Sequence, residues 1–190
     1  MEKVNSGLSL VMKRLGKFSD ILDSVYEASG NDILEVRFCV KKPIQLVFKD
    51  KIIFVGKISR KKCHPKSPDC LDCEDIKNIF SSVCDRSVHT FEREICEGFI
   101  TIEGGSRAGI CGTAVYENGK ICFIKDISSV AIRISHEIIG AADRLKESVL
   151  KNGLEGVLVA GPPCSGKTTV LRDFARVLAG VLSSFSALCI

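Results

Sequence analysis

The run Val157-Leu158-Val159-Ala160-Gly161-Pro162-Pro163-Cys164-Ser165-Gly166-Lys167-Thr168-Thr169 joins a short apolar stretch to a loop carrying G-x-x-x-x-G-K-T. Each residue type in it suits a polyphosphate. Backbone N–H groups can surround a β-phosphate only where no Cβ intrudes, and Gly161 and Gly166 meet that need. Lys167 has the reach for the β/γ-phosphates, and the Thr168 hydroxyl is placed to ligate Mg²⁺. The candidate nucleotide-binding residues are therefore Gly161, Pro162, Pro163, Cys164, Ser165, Gly166, Lys167, Thr168 and Thr169. Lys167 and Thr168 carry the candidate catalytic roles, with ATP and Mg²⁺ as the implied cofactors.

Two elements must hold this loop. Val157 to Ala160 has the length and apolarity of a central parallel strand. Beyond the loop, Val170, Leu171, Phe174, Val177 and Leu178 recur at helical spacing until Gly180 ends the pattern. The helix N-terminus then points free N–H groups and partial positive charge at the bound anion.

The chain before the loop reads as mixed helix and strand. Leu8 to Tyr26 has a helical apolar rhythm broken at Gly16, which predicts two short helices. Leu34 to Val40 alternates as a strand, and Ile44 to Val55 as a hairpin turning at Lys49-Asp50-Lys51. Asp72 with Asp75 starts a helix whose apolar face is Ile76, Ile79, Phe80, Val83 and Cys84. A short helix over Phe91 to Cys96 stops at Gly98. Strands follow over Phe99 to Glu103, Arg107 to Tyr116 and Lys120 to Lys125, the last two joined by Asn118-Gly119. Val130 to Ile134 is a further strand, and Glu137 to Leu150 a helix. The expected organisation is an α+β N-terminal domain over residues 1–150 and the start of a P-loop domain over 151–190, α/β overall.

Composition narrows the class. With 190 residues, ordinary apolar content and a net charge of +4, the chain is globular and only mildly basic. It has neither an apolar run of membrane-spanning length nor the order of a signal peptide, which predicts a cytoplasmic protein. A reducing compartment makes a disulfide framework among its ten cysteines the unexpected outcome. Cys63, His64, Cys70 and Cys73 crowd into a basic loop at 57–72 with one C-x-x-C. That is half of the usual zinc pattern, so structural cysteines are the expected reading and zinc the alternative. The cations of this loop, Lys57, Arg60, Lys61, Lys62 and Lys66, read as solvated surface, with an anionic membrane or partner as the alternative. Interleaved aromatics are missing, so no specific nucleic acid is expected.

Three segments together resemble the stage III sporulation protein AA family of endospore-forming bacteria. They are Phe91 to Glu94 continuing through Gly98 to Gly109, then Ile124 to Ile134, then Gly161 to Asp173; Leu34 to Arg37 followed by Lys42-Pro43-Ile44 is similar too. The resemblance implies a secretion-type ATPase with a RecA-like (AAA-type) motor domain, assembled as a homo-oligomeric ring. It implies a role in energising a channel between mother cell and forespore, at the mother-cell face of the membrane. Other stage III sporulation membrane proteins would be the partners. In such a ring, Arg107 and Arg133 are candidates to reach a neighbour's γ-phosphate; pairing with Glu103 or Asp126 is the alternative. The family pattern continues past the P-loop helix to a Walker B carboxylate, whereas no apolar strand ending in Asp follows Lys167 here. The expectation is a truncated chain that binds nucleotide and hydrolyses it negligibly, with a non-catalytic interaction module as the alternative.

Overall fold

The computed structural model describes residues 6–22, 33–136, 138–152, 157–163 and 165–181. The chain divides into two compact units, Met1–His136 and Glu137–Ile190. Cys164, Val25, Tyr26, Gly153 and residues 182–190 lie outside the described residues.

The first unit is built on a six-stranded antiparallel sheet in the order β3-β2-β1-β6-β5-β4. Its strands are β1 (Glu35–Cys39), β2 (Ile44–Val47), β3 (Ile52–Val55), β4 (Phe99–Ile102), β5 (Ser106–Glu117) and β6 (Lys120–Arg133). Helices accompany it, among the described residues α1 (Ser6–Leu15), a helical stretch at 19–22, α2 (Cys73–Val83) and the short α3 (Glu92–Cys96). Strand alternation decides the layers, because successive side chains point to opposite faces. Val36 and Phe38 of β1, Ile44 and Leu46 of β2, Ala108 and Ile110 of β5, and Val130 and Ile132 of β6 all fall on the buried face. Leu8, Val11 and Leu15 of α1 and Ile76, Ile79 and Val83 of α2 close over them.

The sequence also specifies where α2 begins. The Asp75 amide donates to Asp72 Oδ1 and the Asp72 amide donates to Asp75 Oδ2, both at 2.9 Å. This reciprocal capping box satisfies two amides that the helix itself cannot. Lys57 Nζ lies 2.9 Å from Asp72 Oδ2 and 2.5 Å from Asp75 Oδ2, so one cation serves both carboxylates.

Three boundaries differ from expectation. Lys120 to Lys125 and Val130 to Ile134 are one strand, β6, with a bulge rather than a gap between them. Pairing passes from Cys111↔Ser129 to Thr113↔Lys125, leaving Gly112 opposite three residues, of which Asp126 is left-handed at φ 49. Polar Asp126, Ser128 and Ser129 break the apolar alternation and so read as a loop. Residues 138–142 are not helical, and α4 runs Asp143–Asn152. Gly140 adopts φ 89 and its amide is drawn away from a helical acceptor, as described below. Finally, Val157 to Ala160 is not a strand. No described residue pairs with it, and without a ladder its apolar side chains stay out, Leu158 at 92% exposure.

Candidate phosphate-binding site

The second unit contains the glycine loop and α5 (Lys167–Val181). The two loop glycines differ. Gly166 sits at φ 83, in the left-handed region, with nothing within 4 Å of where a Cβ would stand, so its requirement is conformational. At Gly161 a Cβ would stand 2.9 Å from Ser165 Oγ, a contact that a turn of this exposed hydroxyl relieves. The Ser165 amide donates to Pro162 O at 3.3 Å, closing the turn.

Helix α5 starts at once after Gly166, and its first intrahelical bond is Val170 N–H to Gly166 O at 2.9 Å. The amides of Lys167, Thr168 and Thr169 precede that bond, so the helix supplies them no acceptor. The first turn of α5 carries no acidic side chain, which leaves its positive end uncompensated. Lys167 Nζ donates to Gly161 O at 2.9 Å and to Pro162 O at 2.6 Å, so the ammonium lies across the loop. Thr168, Ser165, Pro162 and Pro163 are exposed and Thr169 half-buried. The first amides of α5, an ammonium over the loop and a hydroxyl at the helix start form a donor set that fits a phosphate chain. Thr168 fits the protein's share of a Mg²⁺ shell.

Asp173, to which the sequence reading gave no role, secures this helix within its unit. It is buried, and its Oδ2 accepts from the amides of Gly140 at 3.0 Å and Ala142 at 2.9 Å. Its Oδ1 accepts from Arg176 Nε at 3.0 Å and Nη2 at 2.7 Å. The Ala142 amide and then the Arg176 guanidinium hold this carboxyl below its ordinary range. The available signal was an Asp with an Arg three residues on, beside apolar Phe174.

Arg107 and Arg133 are brought together. They are directly opposed on β5 and β6, on the sheet face away from the core, with Glu35 of β1 opposite Arg133. Neither forms an ion pair with Glu103 or Asp126; Arg107 instead lies over the Phe99 ring at 5.2 Å. Glu35 is engaged by Arg37.

In the basic loop, Asp69 takes the amides of Ile58 at 2.7 Å and Ser59 at 2.8 Å, and Cys70 Sγ donates to Ser67 O at 2.8 Å. Among the described residues, no three His, Cys, Asp or Glu side chains are grouped as metal ligands. Lys57 is committed to Asp72 and Asp75, and Arg60 lies 4.0 Å from Asp20, which reduces the charge open to a polyanion. No helix among the described residues is long and apolar enough to cross a membrane.

Residues 16–183 match the family model for sporulation stage III, protein AA. Stage III sporulation protein AA of Bacillus subtilis (strain 168) is 32% identical over 156 residues, covering 82% of this chain and 47% of that protein. The chain thus spans about half the length of the curated relative it matches. Among solved structures, the VirB11 ATPase from the Brucella suis type IV secretion system in complex with sulphate aligns at 12% identity and a TM-score of 0.37. That alignment covers 90% of this chain and 46% of that one, a likeness too distant to carry an argument. The family model and the curated relative agree across most of the sequence, and the chain belongs to the stage III sporulation protein AA family.

Proposed function

We propose that this chain is the nucleotide-binding part of a sporulation ATPase that energises a channel or secretion complex between mother cell and forespore. The observation that carries the reading is the donor set of the glycine loop. Gly166 supplies the left-handed backbone of a phosphate cradle that Gly161 opens, and Lys167 and the first amides of α5 supply its charge. On nucleotide binding, Lys167 exchanges the Gly161 and Pro162 carbonyls for phosphate oxygens, a stronger charge-assisted contact. Thr168 would hold Mg²⁺, which when bound offsets the charge on the transferring phosphoryl group. Asp173 is a positioning residue, fixing α5 against residues 140–142.

In a homo-oligomeric ring, the opposed pair Arg107 and Arg133 would meet a neighbouring copy's triphosphate. Two guanidinium groups held side by side, with no ion pair of their own among the described residues, suit that role. Partners would be stage III sporulation membrane proteins, with the assembly peripheral to the mother-cell membrane. A second reading, an interaction module with an idle loop, draws on the unpaired Val157 to Ala160 beside the site. The same observation leads us to expect binding without appreciable turnover in this 190-residue chain.

Titration of the chain with ATP and Mg²⁺, beside its Lys167→Ala variant, tests the reading. Loss of a charged phosphate contact worth about 1.5–3 kcal/mol should weaken binding about tenfold or more. Undiminished ATP affinity in Lys167→Ala would remove the loop as the site. A chain extended by the C-terminal part of its relatives should hydrolyse ATP and lose that activity with the same substitution. If the extended chain is inert but still captures its membrane partners, the interaction-module reading stands instead.

A further inference from the structure

The end of α2 carries two left-handed residues that are not glycine, Asp85 at φ 52 and Arg86 at φ 60. The backbone there closes in the Schellman manner: the Arg86 amide donates to Ser81 O at 2.8 Å and the Asp85 amide to Ser82 O at 3.1 Å. Glycine takes such positions without steric penalty, whereas a Cβ there costs stability. The end of α1 uses Gly16, at φ 56, in the ordinary way. Two consecutive non-glycine outliers of this kind direct attention to what their side chains reach.

Both reach the same place. Asp85 and Arg86 line a cavity of about 490 Å³ together with Lys13 and Arg14 from the last turn of α1, Ser82 of α2, and Glu103. Glu103 lies on the β4–β5 turn, which is held tightly against α1, since a Cβ on Gly104 would stand 2.6 Å from Leu10 Cδ1. Among the described residues, Arg14 Nη1 is buried and makes no hydrogen bond, although it forms an ion pair with Asp85 Oδ2 at 3.5 Å. Lys13 and Arg86 are exposed and form no ion pair among the described residues. A buried guanidinium donor without an acceptor is costly unless a ligand or water oxygen meets it.

We propose that this cavity binds a small phosphorylated, hydroxyl-bearing molecule of the sugar-phosphate class. Its phosphate would sit on Arg14, Lys13 and Arg86, supplying the acceptor that Arg14 Nη1 lacks and loosening Asp85 from it. Glu103 accepts from sugar hydroxyls and disfavours a ligand that is anionic throughout. The volume falls in the range of about 300–1,000 Å³ typical of small-molecule sites.

The test uses the full chain carrying Lys167→Ala, so that the glycine loop does not compete for phosphate. Ribose 5-phosphate is titrated calorimetrically, with inorganic phosphate in a second arm. Arg86→Gly should weaken ribose 5-phosphate binding about tenfold or more, the loss expected for a charge-assisted contact, while leaving thermal stability equal or higher. Lys13→Ala, at an exposed residue, should weaken binding in the same direction without unfolding the chain. A fall in stability on Arg86→Gly would mean that Arg86 serves the fold, and would overturn the argument from strain. Absence of ribose 5-phosphate binding, or undiminished binding in Lys13→Ala, would overturn the site. Inorganic phosphate binding as tightly as ribose 5-phosphate would overturn the role of Glu103 and with it the ligand class.

Discussion

Asp173 shows how much one side chain can decide in the second unit. Its two oxygens accept from two backbone amides and from both donors of Arg176. A carboxylate so engaged must be ionised to keep all its partners. Because its folded value lies below the ordinary 3.8, its contribution is fully present above that value and is lost as pH falls through the lowered one. We expect the Gly140 and Ala142 amides to be protected from hydrogen exchange at neutral pH and to lose protection below about pH 4. Asp173→Asn should lower that protection at neutral pH and abolish its acid dependence. An unchanged pH profile in the variant would show that another group controls the segment.

At the scale of elements, the β5–β6 bulge turns on Gly112. A Cβ there would stand 2.6 Å from Lys125 O and 3.2 Å from Ile127 Cα, both backbone atoms that cannot step aside. Gly112→Ala should therefore destabilise the first unit by about 1–3 kcal/mol, as overpacking does. Three residues back, Gly109 has room, with Ala131 O at 3.7 Å, and Gly109→Ala should be nearly neutral. Urea midpoints of the two variants give the comparison, and equal shifts would refute the steric account. The capping box of α2 makes a second element-scale expectation. Hydrogen bonding from Lys57, then from the Asp75 amide, holds Asp72 at about 2 instead of 3.8. Its contribution is therefore constant above about pH 4 and is lost between pH 4 and 2. Asp72→Ala should flatten that part of the stability profile; an acid limb of the same size in the variant would assign it elsewhere.

For the whole molecule, the buried face of the sheet and the helices over it lie within residues 8–134. A chain of residues 1–150 should accordingly unfold in one cooperative transition without nucleotide, and a featureless melt would contradict this. Within that chain Phe38, fully buried and edge-on to Phe18 at 6.3 Å, is a central test position. Phe38→Ala should cost about 3–5 kcal/mol, read as a lowered denaturation midpoint. A cost under about 1 kcal/mol would mean that this core is looser than its burial implies.

The sequence by itself determined what is local. The capping box at Asp72, the Asn118-Gly119 turn and the alternation of β1 follow from neighbours within a few residues, and each stands in the structure. The glycine loop was legible for the same reason, since its spacing is its chemistry. The tertiary structure decided what depends on distant partners. It joined two predicted strands into β6 because β5 pairs with it on both sides of the bulge, and β1 adds a second ladder from Ser129 to Arg133. It kept residues 138–142 out of a helix, with the distant Asp173 carboxylate taking the amides of Gly140 and Ala142. It left Val157 to Ala160 unpaired, because a strand exists only where a neighbour completes its hydrogen bonds. It placed Arg107 opposite Arg133, and gathered Lys13, Arg14, Arg86 and Glu103 around one cavity, through packing that no local pattern encodes.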